Sequence, residues 1–244
     1  MLYIIFCYAA DTAMLRMVTE RIRTLDADAR IYAISDPAAP VDPAAVPGIE
    51  HRRGSVPRGG NLNGLPIIAE ELSTFRSLMD AEGVPELIKI DADCYPLSFG
   101  ALVLPPKPAE LTICERWQPF TPAGMVYHLT RRMVDALQAE FNRRTELNLW
   151  QSGYHWPEDI TIWNLATLTG LPVQMLPYAG GYACGMPDCL PDELPDKVRN
   201  SDFVHCGEPL PDGTRVSREH ATLRMRILHA ATTASEKAEA ESEP

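Results

Sequence analysis

The chain opens on Leu2 to Tyr8 (LYIIFCY), a continuous apolar run rich in β-branched and aromatic residues, which is the pattern of a strand buried on both faces of a parallel sheet. Asp11 and Thr12 then supply helix-capping side chains. Met14, Leu15, Val18, Ile22 and Leu25 recur at helical spacing, predicting a helix over residues 12–25. Arg30 to Ile34 reads as a second short strand ending at Ser35-Asp36-Pro37, so the chain begins with a βαβ unit. Residues 37–60, rich in Pro, Gly and Ala, predict a loop with one short strand near Ile49. Leu65 to Glu82 is helical in period, with Ile68, Leu72, Phe75, Leu78 and Met79 as the buried stripe, Pro66 in the first turn and Gly83 at the stop. Glu86 to Ile90 is a strand that runs directly into Asp91-Ala92-Asp93. This alternation predicts an α/β fold, with a mostly parallel central sheet flanked by helices in a single domain.

The second half is less regular. Leu111 to Glu115 reads as a strand, and Val126 to Phe141 as a helix with Met133, Val134, Leu137 and Phe141 on one face. A segment containing Trp150, Tyr154 and Trp156 follows; its aromatics read as core in the first instance and as sugar-stacking rings in the second. Residues 159–169 predict a helix, Val173 to Leu176 a strand, and the Pro-, Gly- and Asp-rich residues 177–215 loops over a site. Ser217 to Ala230 predicts a last helix. The domain is then residues 1–230, and the acidic residues 231–244 are expected to be disordered.

Composition narrows the function classes. The net charge of -11 and pI of about 5.0 disfavour a nucleic-acid backbone or an anionic membrane as partner, since both attract basic surfaces. No stretch approaches the ~20 apolar residues of a membrane span, and the apolar N-terminus lacks the basic start of a secretory signal. The six cysteines form no dense framework, so reduced thiols and a cytoplasmic location are expected.

Four places carry chemistry. First, the apolar strand before Asp91 and Asp93 ends in two carboxylates spaced i, i+2, at the strand end where ligands bind in open α/β sheets. Such a pair suits Mn²⁺ or Mg²⁺ together with substrate phosphates, the alternative being two solvated aspartates in a turn. Second, Arg58-Gly59-Gly60-Asn61-Leu62-Asn63-Gly64 precedes a helix, where backbone approaches a ligand closely and the helix N-terminus favours anions. It is an ordinary turn otherwise, and no G-K-[ST] makes it a Walker loop. Third, Glu158 and Asp159 open a helical segment, either as dipole-stabilising caps or as a catalytic base acting on an acceptor hydroxyl. Fourth, His205 follows an apolar pair and is either structural or a metal ligand. Cys184, Cys189 and Cys206 with His205 are a remoter zinc alternative, because the Cys184–Cys189 separation exceeds the usual ligand spacing.

In order, these pieces resemble the GT-A glycosyltransferases, especially the family 2-like group: an opening βαβ (Leu2–Asp36), a G/N-rich turn (Gly59–Gly64), a strand ending D-x-D (Asp91–Asp93), an E-D opening a later helix (Glu158–Asp159) and a late His (His205). The resemblance covers roughly residues 1–210. It implies a nucleotide-diphosphate sugar donor, an unidentified hydroxyl acceptor and a Mn²⁺ or Mg²⁺ cofactor. Asp93 and His205 would be metal ligands, and Asp91 would meet the metal or ribose. Tyr8, Ala9, Asp11, Asp36, Asn61, Asn63, Gly64 and Ala92 would line the nucleotide. Asp159, with Glu158 beside it, would be the base of an inverting displacement, and Arg215 and Arg218 would steady the diphosphate by charge. Two other functions fit the same core: a nucleotidyltransferase, which would usually carry a basic Gly-rich loop where residues 8–16 offer only Arg16, and a non-catalytic binding or scaffold protein.

Overall fold

A computed structural model of the chain describes residues 1–57, 64–100, 108–115, 122–151, 157–176, 202–207 and 216–242. A seven-stranded sheet forms its centre, in the order β3-β2-β1-β4-β7-β6-β8. The strands are β1 (Leu2–Cys7), β2 (Arg30–Ser35), β3 (Glu50–Arg53), β4 (Glu86–Asp91), β6 (Leu111–Glu115), β7 (Pro122–Thr130) and β8 (Val173–Leu176). A separate antiparallel ribbon joins β5 (Cys94–Pro96) to β9 (Phe203–His205). Among the described residues five α-helices complete the fold: α1 (Thr12–Leu25), α2 (Leu65–Glu82), α3 (Arg131–Glu146), α4 (Glu158–Leu168) and α5 (Arg218–Ser242). Only β7 runs against its neighbours in the main sheet, so the expected mostly parallel α/β sheet is what forms.

The apolar run of β1 explains the two-layer packing. All six of its residues are buried, and successive side chains point to opposite faces. Tyr3, Ile5 and Cys7 join Met14, Leu15, Val18 and Ile22 of α1 and Met225 and Leu228 of α5 in one core. Leu2, Ile4 and Phe6 join the stripes of α2, α3 and α4 in the other. There Phe75 meets the rings of Phe6 and Tyr127 edge-on, with centroids 6.1 and 6.3 Å away.

Three elements differ from the expectation. Val126 to Leu129, expected in a helix, are strand: they sit in the middle of the sheet between β4 and β6, where a fully buried, mostly apolar segment is at home. The helix starts only at Arg131, after Thr130 caps it by accepting a hydrogen bond from the Met133 backbone N–H at 3.3 Å. Phe203–His205, within residues expected to be loop, pair with β5. The last helix also continues past Ala230 through Ser242 instead of giving way to a disordered tail. Its extension is held by tertiary contacts: Arg21 ion-pairs with Glu236, and the Tyr95 hydroxyl lies 2.9 Å from Thr232 Oγ1. No helix among the described residues is long and apolar enough to cross a membrane.

Candidate functional site

The chain adds β2 and β3 on one side of β1 and then returns to lay β4 on the other, so the strand order reverses between β1 and β4. A crevice outside the carboxyl ends of strands at such a reversal is the general ligand position in open α/β sheets. β1 and β4 are parallel, with Phe6 opposite Asp91. Tyr8, Ala9 and Asp11 therefore leave β1 beside Asp91, Ala92 and Asp93 leaving β4. Asp36 joins them from the end of β2, its backbone N–H donating to the Cys7 carbonyl at 2.9 Å.

Asp93 is the centre of the arrangement. The ribbon β5–β9 sets Cys94 opposite His205, and the Cys206 N–H donates to the Asp93 carbonyl at 2.8 Å. His205 Nε2 thereby stands 3.4 Å from Asp93 Oδ1, while Arg218 Nη1 lies 2.9 Å from Asp93 Oδ2. Gly207 makes room for this. A β-carbon there would fall 2.4 Å from Asp93 Oδ2 and 3.4 Å from His205 Nε2, so no other residue fits with Asp93 in place. Burial works to raise the Asp93 carboxyl, but His205 and Arg218 outweigh it and hold the group well below the usual carboxylate range.

Asp91 belongs to a second cluster, built around buried Lys89 and Glu158. Lys89, two residues earlier on β4 and fully buried, places its Nζ 2.7 Å from Asp91 Oδ1 and 3.1 Å from Glu158 Oε1 and donates to the Gly124 carbonyl. The Tyr127 hydroxyl donates to Glu158 Oε1 at 2.6 Å. Burial opposes the charge on Lys89, yet Asp91, Glu158 and Glu71 more than compensate and keep it an ammonium. Burial pushes the Asp91 carboxyl up to about 6, with Lys89 pulling the other way.

Glu158 is thus engaged in holding Lys89. Asp159 is buried in the first turn of α4, with Oδ1 accepting from the Ile160 N–H at 2.8 Å. A β-carbon at Gly124 would lie 2.8 Å from Asp159 Cβ, so that glycine lets α4 approach β7 closely.

The other candidates are placed as follows. Asp11 is buried; its Oδ2 accepts from the Tyr8 N–H at 2.9 Å and its Oδ1 lies 3.2 Å from Arg218 Nη1. Burial pushes its carboxyl up, with Arg218 and the Tyr8 N–H opposing. Tyr8 presents its ring to Arg218, the guanidinium carbon 6.0 Å from the centroid. Ala9 ties its N–H to the Ala39 carbonyl at 2.8 Å, and Asp36 Oδ1 accepts from the Ala38 N–H at 2.7 Å. Ala92 is core. Gly64 precedes α2 with φ +130°, a conformation that favours glycine.

Asn61, Asn63, Arg215, Cys184, Cys189, Tyr154 and Trp156 lie outside the described residues. Trp150 packs on Phe141 with centroids 5.2 Å apart, in keeping with a core role. Lys89 is the site residue that sequence reasoning missed. A lone lysine in an apolar strand, two before the first aspartate of the pair, was the available signal.

Among the described residues, no three His, Cys, Asp or Glu side chains surround a common point. The donors that do converge are Asp93 and His205, a hard oxygen and an imidazole. They fit a divalent cation that completes its shell with phosphate oxygens and water, whereas Asp91 is turned to Lys89.

No family model and no curated protein matches the chain. Among solved structures, a glycosyltransferase involved in the glycosylation of the major capsid of PBCV-1 is similar with a TM-score of 0.57 and 12% identity, over 93% of this chain and 98% of that one. The galactosyltransferase LgtC in complex with donor and acceptor sugar analogs gives 0.49 and 13%, over 93% and 95%. An active-site mutant of LgtC gives 0.48 and 14%, over 92% and 95%. The reversed β7, the helices on both faces and the near-complete overlap with the first of these give this chain the fold of a GT-A-like glycosyltransferase.

Proposed function

We propose that the protein transfers a sugar from a nucleotide-diphosphate sugar to a hydroxyl acceptor, with Mn²⁺ or Mg²⁺ held by Asp93 and His205. The observation that carries this reading is the Asp93–His205 pair cleared by Gly207, at the strand-order reversal of a glycosyltransferase fold. A bound divalent cation supplies charge that offsets the negative charge growing on the leaving diphosphate. Tyr8, Asp11 and Asp36 face the nucleoside from the ends of β1 and β2. Asp159, at the start of α4, takes the proton from the acceptor hydroxyl as its oxygen bonds to the anomeric carbon and the bond to the diphosphate breaks. Attack from the face opposite the leaving group inverts the anomeric centre.

The test is thermal stability with UDP, GDP, CDP or TDP, each with and without Mn²⁺, for the wild type and Asp93→Ala. A ligand that binds the native state raises the melting temperature by mass action. One diphosphate is expected to stabilise the wild type only with Mn²⁺, and Asp93→Ala is expected to lose the effect; a folded wild type that responds to none of the four refutes the reading. Asp159→Asn is expected to keep donor binding and lose transfer. Unchanged transfer in that variant would remove Asp159 as the base, and a wild type that binds donor without turnover would point to the scaffold alternative.

A further inference from the structure

The ammonium of Lys89 touches three elements that meet beside Asp159. It reaches Asp91 at the end of its own strand β4 at 2.7 Å, Glu158 at the start of α4 at 3.1 Å, and the Gly124 carbonyl of β7. Two of these contacts flank Asp159. Glu158 precedes it in the chain, and Gly124 is the residue whose missing β-carbon lets Asp159 approach β7. Tyr127 adds a second tie: it stands opposite Lys89 in the β4–β7 pairing, and its hydroxyl donates to the same Glu158 oxygen that the ammonium faces. Lys89 is fully buried and Glu158 nearly so, which suits them to holding protein groups rather than meeting a substrate. An apolar side chain would fill this place without taking a charge out of water, and replacing a whole buried ion pair by apolar groups is often neutral or stabilising, so stability alone does not account for the cluster.

We propose that Lys89 is a positioning residue. Through Glu158 and the Gly124 carbonyl it pins the first turn of α4 to β7 and to the end of β4, and so fixes where the Asp159 carboxylate stands relative to the donor. The inference rests on the donor-and-base reading above and deepens it. Asp159 Oδ1 bonds to the Ile160 N–H within its own helix turn, so the carboxylate moves with α4. Tyr8, Asp11, Asp36 and Asp93 reach the donor from other elements, the ends of β1, β2 and β4. Loosening the pin therefore shifts the base while the donor contacts stay in place, and it acts on turnover rather than on donor affinity.

The experiment uses the full chain as wild type, Lys89→Met, Glu158→Ala, Asp159→Asn and the double variants of the first two with Asp159→Asn, each checked for folding by circular dichroism. Glu158→Ala leaves Lys89 its Asp91 partner, so it strands no charge and serves if Lys89→Met does not fold. Nucleotide release from UDP-glucose, UDP-galactose and GDP-mannose, with Mn²⁺ present and water as acceptor, gives kcat and KM. Hydrogen exchange of the Thr161 amide, which donates to the Pro157 carbonyl at 2.9 Å, reports the first turn of α4. Lys89→Met and Glu158→Ala are each expected to lower kcat about 10- to 100-fold, the effect of misplacing a reacting group by ~1 Å, with KM for the donor changed less than about twofold. Neither is expected to lower the rate further in the Asp159→Asn background, because both act through that carboxylate. Thr161 is expected to exchange about tenfold faster in Glu158→Ala, beyond any change at the amides of α1 on the other face of the sheet.

Wild-type kcat in Glu158→Ala, a loss that repeats in full on Asp159→Asn, or a Thr161 amide that exchanges as in the wild type overturns the pin, while an inactive Asp159→Asn leaves the base reading standing. Wild-type release by Asp159→Asn overturns the base reading and the pin with it. In a wild type that binds UDP or GDP without releasing nucleotide, the Thr161 exchange decides the pin by itself.

Discussion

Replacing Lys89 by methionine tests the buried cluster directly. Methionine matches the volume of the lysine stem, so the change removes charge without opening a large cavity. It leaves half-buried Asp91 and buried Glu158 without the ammonium that lay 2.7 and 3.1 Å from them. Breaking a buried ion pair from one side costs about 3–5 kcal/mol. For a chain of this length each kcal/mol moves the melting temperature by about 2–4 °C, so a drop of roughly 6–20 °C is expected.

The loss is also pH-dependent, and its sign is fixed. Burial already raises the Asp91 carboxyl to about 6, and without Lys89 it loses the charge that pulls it down. A raised carboxyl stabilises the fold below the unfolded pKa and loses that contribution as pH rises through the folded value. Scanning calorimetry of the variant and wild type at pH 5 and pH 8 should show the deficit growing toward pH 8. A deficit under about 1 kcal/mol, or one identical at both pH values, would mean that Lys89 is not holding these carboxylates, since that lies below the cost of an unpaired buried charge.

Further outcomes follow from the same geometry. Gly207→Ala puts a β-carbon 2.4 Å from Asp93 Oδ2, which the carboxylate escapes by leaving its rotamer at a cost of about 1 kcal/mol. The variant should stay folded yet bind Mn²⁺ and nucleotide at least ~10-fold more weakly in a calorimetric titration, and wild-type binding would contradict the cradle. Burial pushes the Cys114 thiol up to about 12, so the reactive thiolate is scarce near neutral pH. Iodoacetamide at pH 8 should leave Cys114 unmodified in the native protein and label it fully in denaturant, as read by peptide mass spectrometry.

The parts of the fold that the sequence announces are those whose signal is local. The β1 run, the α1 and α2 stripes and the β4 strand each carry their period within one element, and Pro66 and Gly83 mark the ends of α2 where the structure has them. β7 was hidden because only Thr130, Arg131 and Arg132 separate its apolar residues from the stripe of α3, so the two periods merge. β9 was hidden because it is three residues long and its partner β5 lies more than a hundred positions earlier. The end of α5 depends on Arg21 and Tyr95, residues that no local pattern connects to it. At the site, Asp93 and His205 were legible as residue types and are brought together by the ribbon. Lys89 stood out only as a lone lysine in an apolar strand; its role was not legible, because a charge buried in a strand is defined by what surrounds it and its partners come from β4 and α4.

The ribbon and last helix also decide when the protein becomes competent. Asp11 and Asp93 belong to the first hundred residues, but His205, Gly207 and Arg218 come from near the other end, and buried Arg224 of α5 anchors the Cys206 carbonyl at 3.0 Å. During synthesis the early strands and helices can condense before those residues exist, since domains fold as the chain emerges. A ribosome-bound intermediate then holds two neighbouring acidic side chains with neither imidazole nor guanidinium to meet them, and it gains its complete site only when α5 docks on α1.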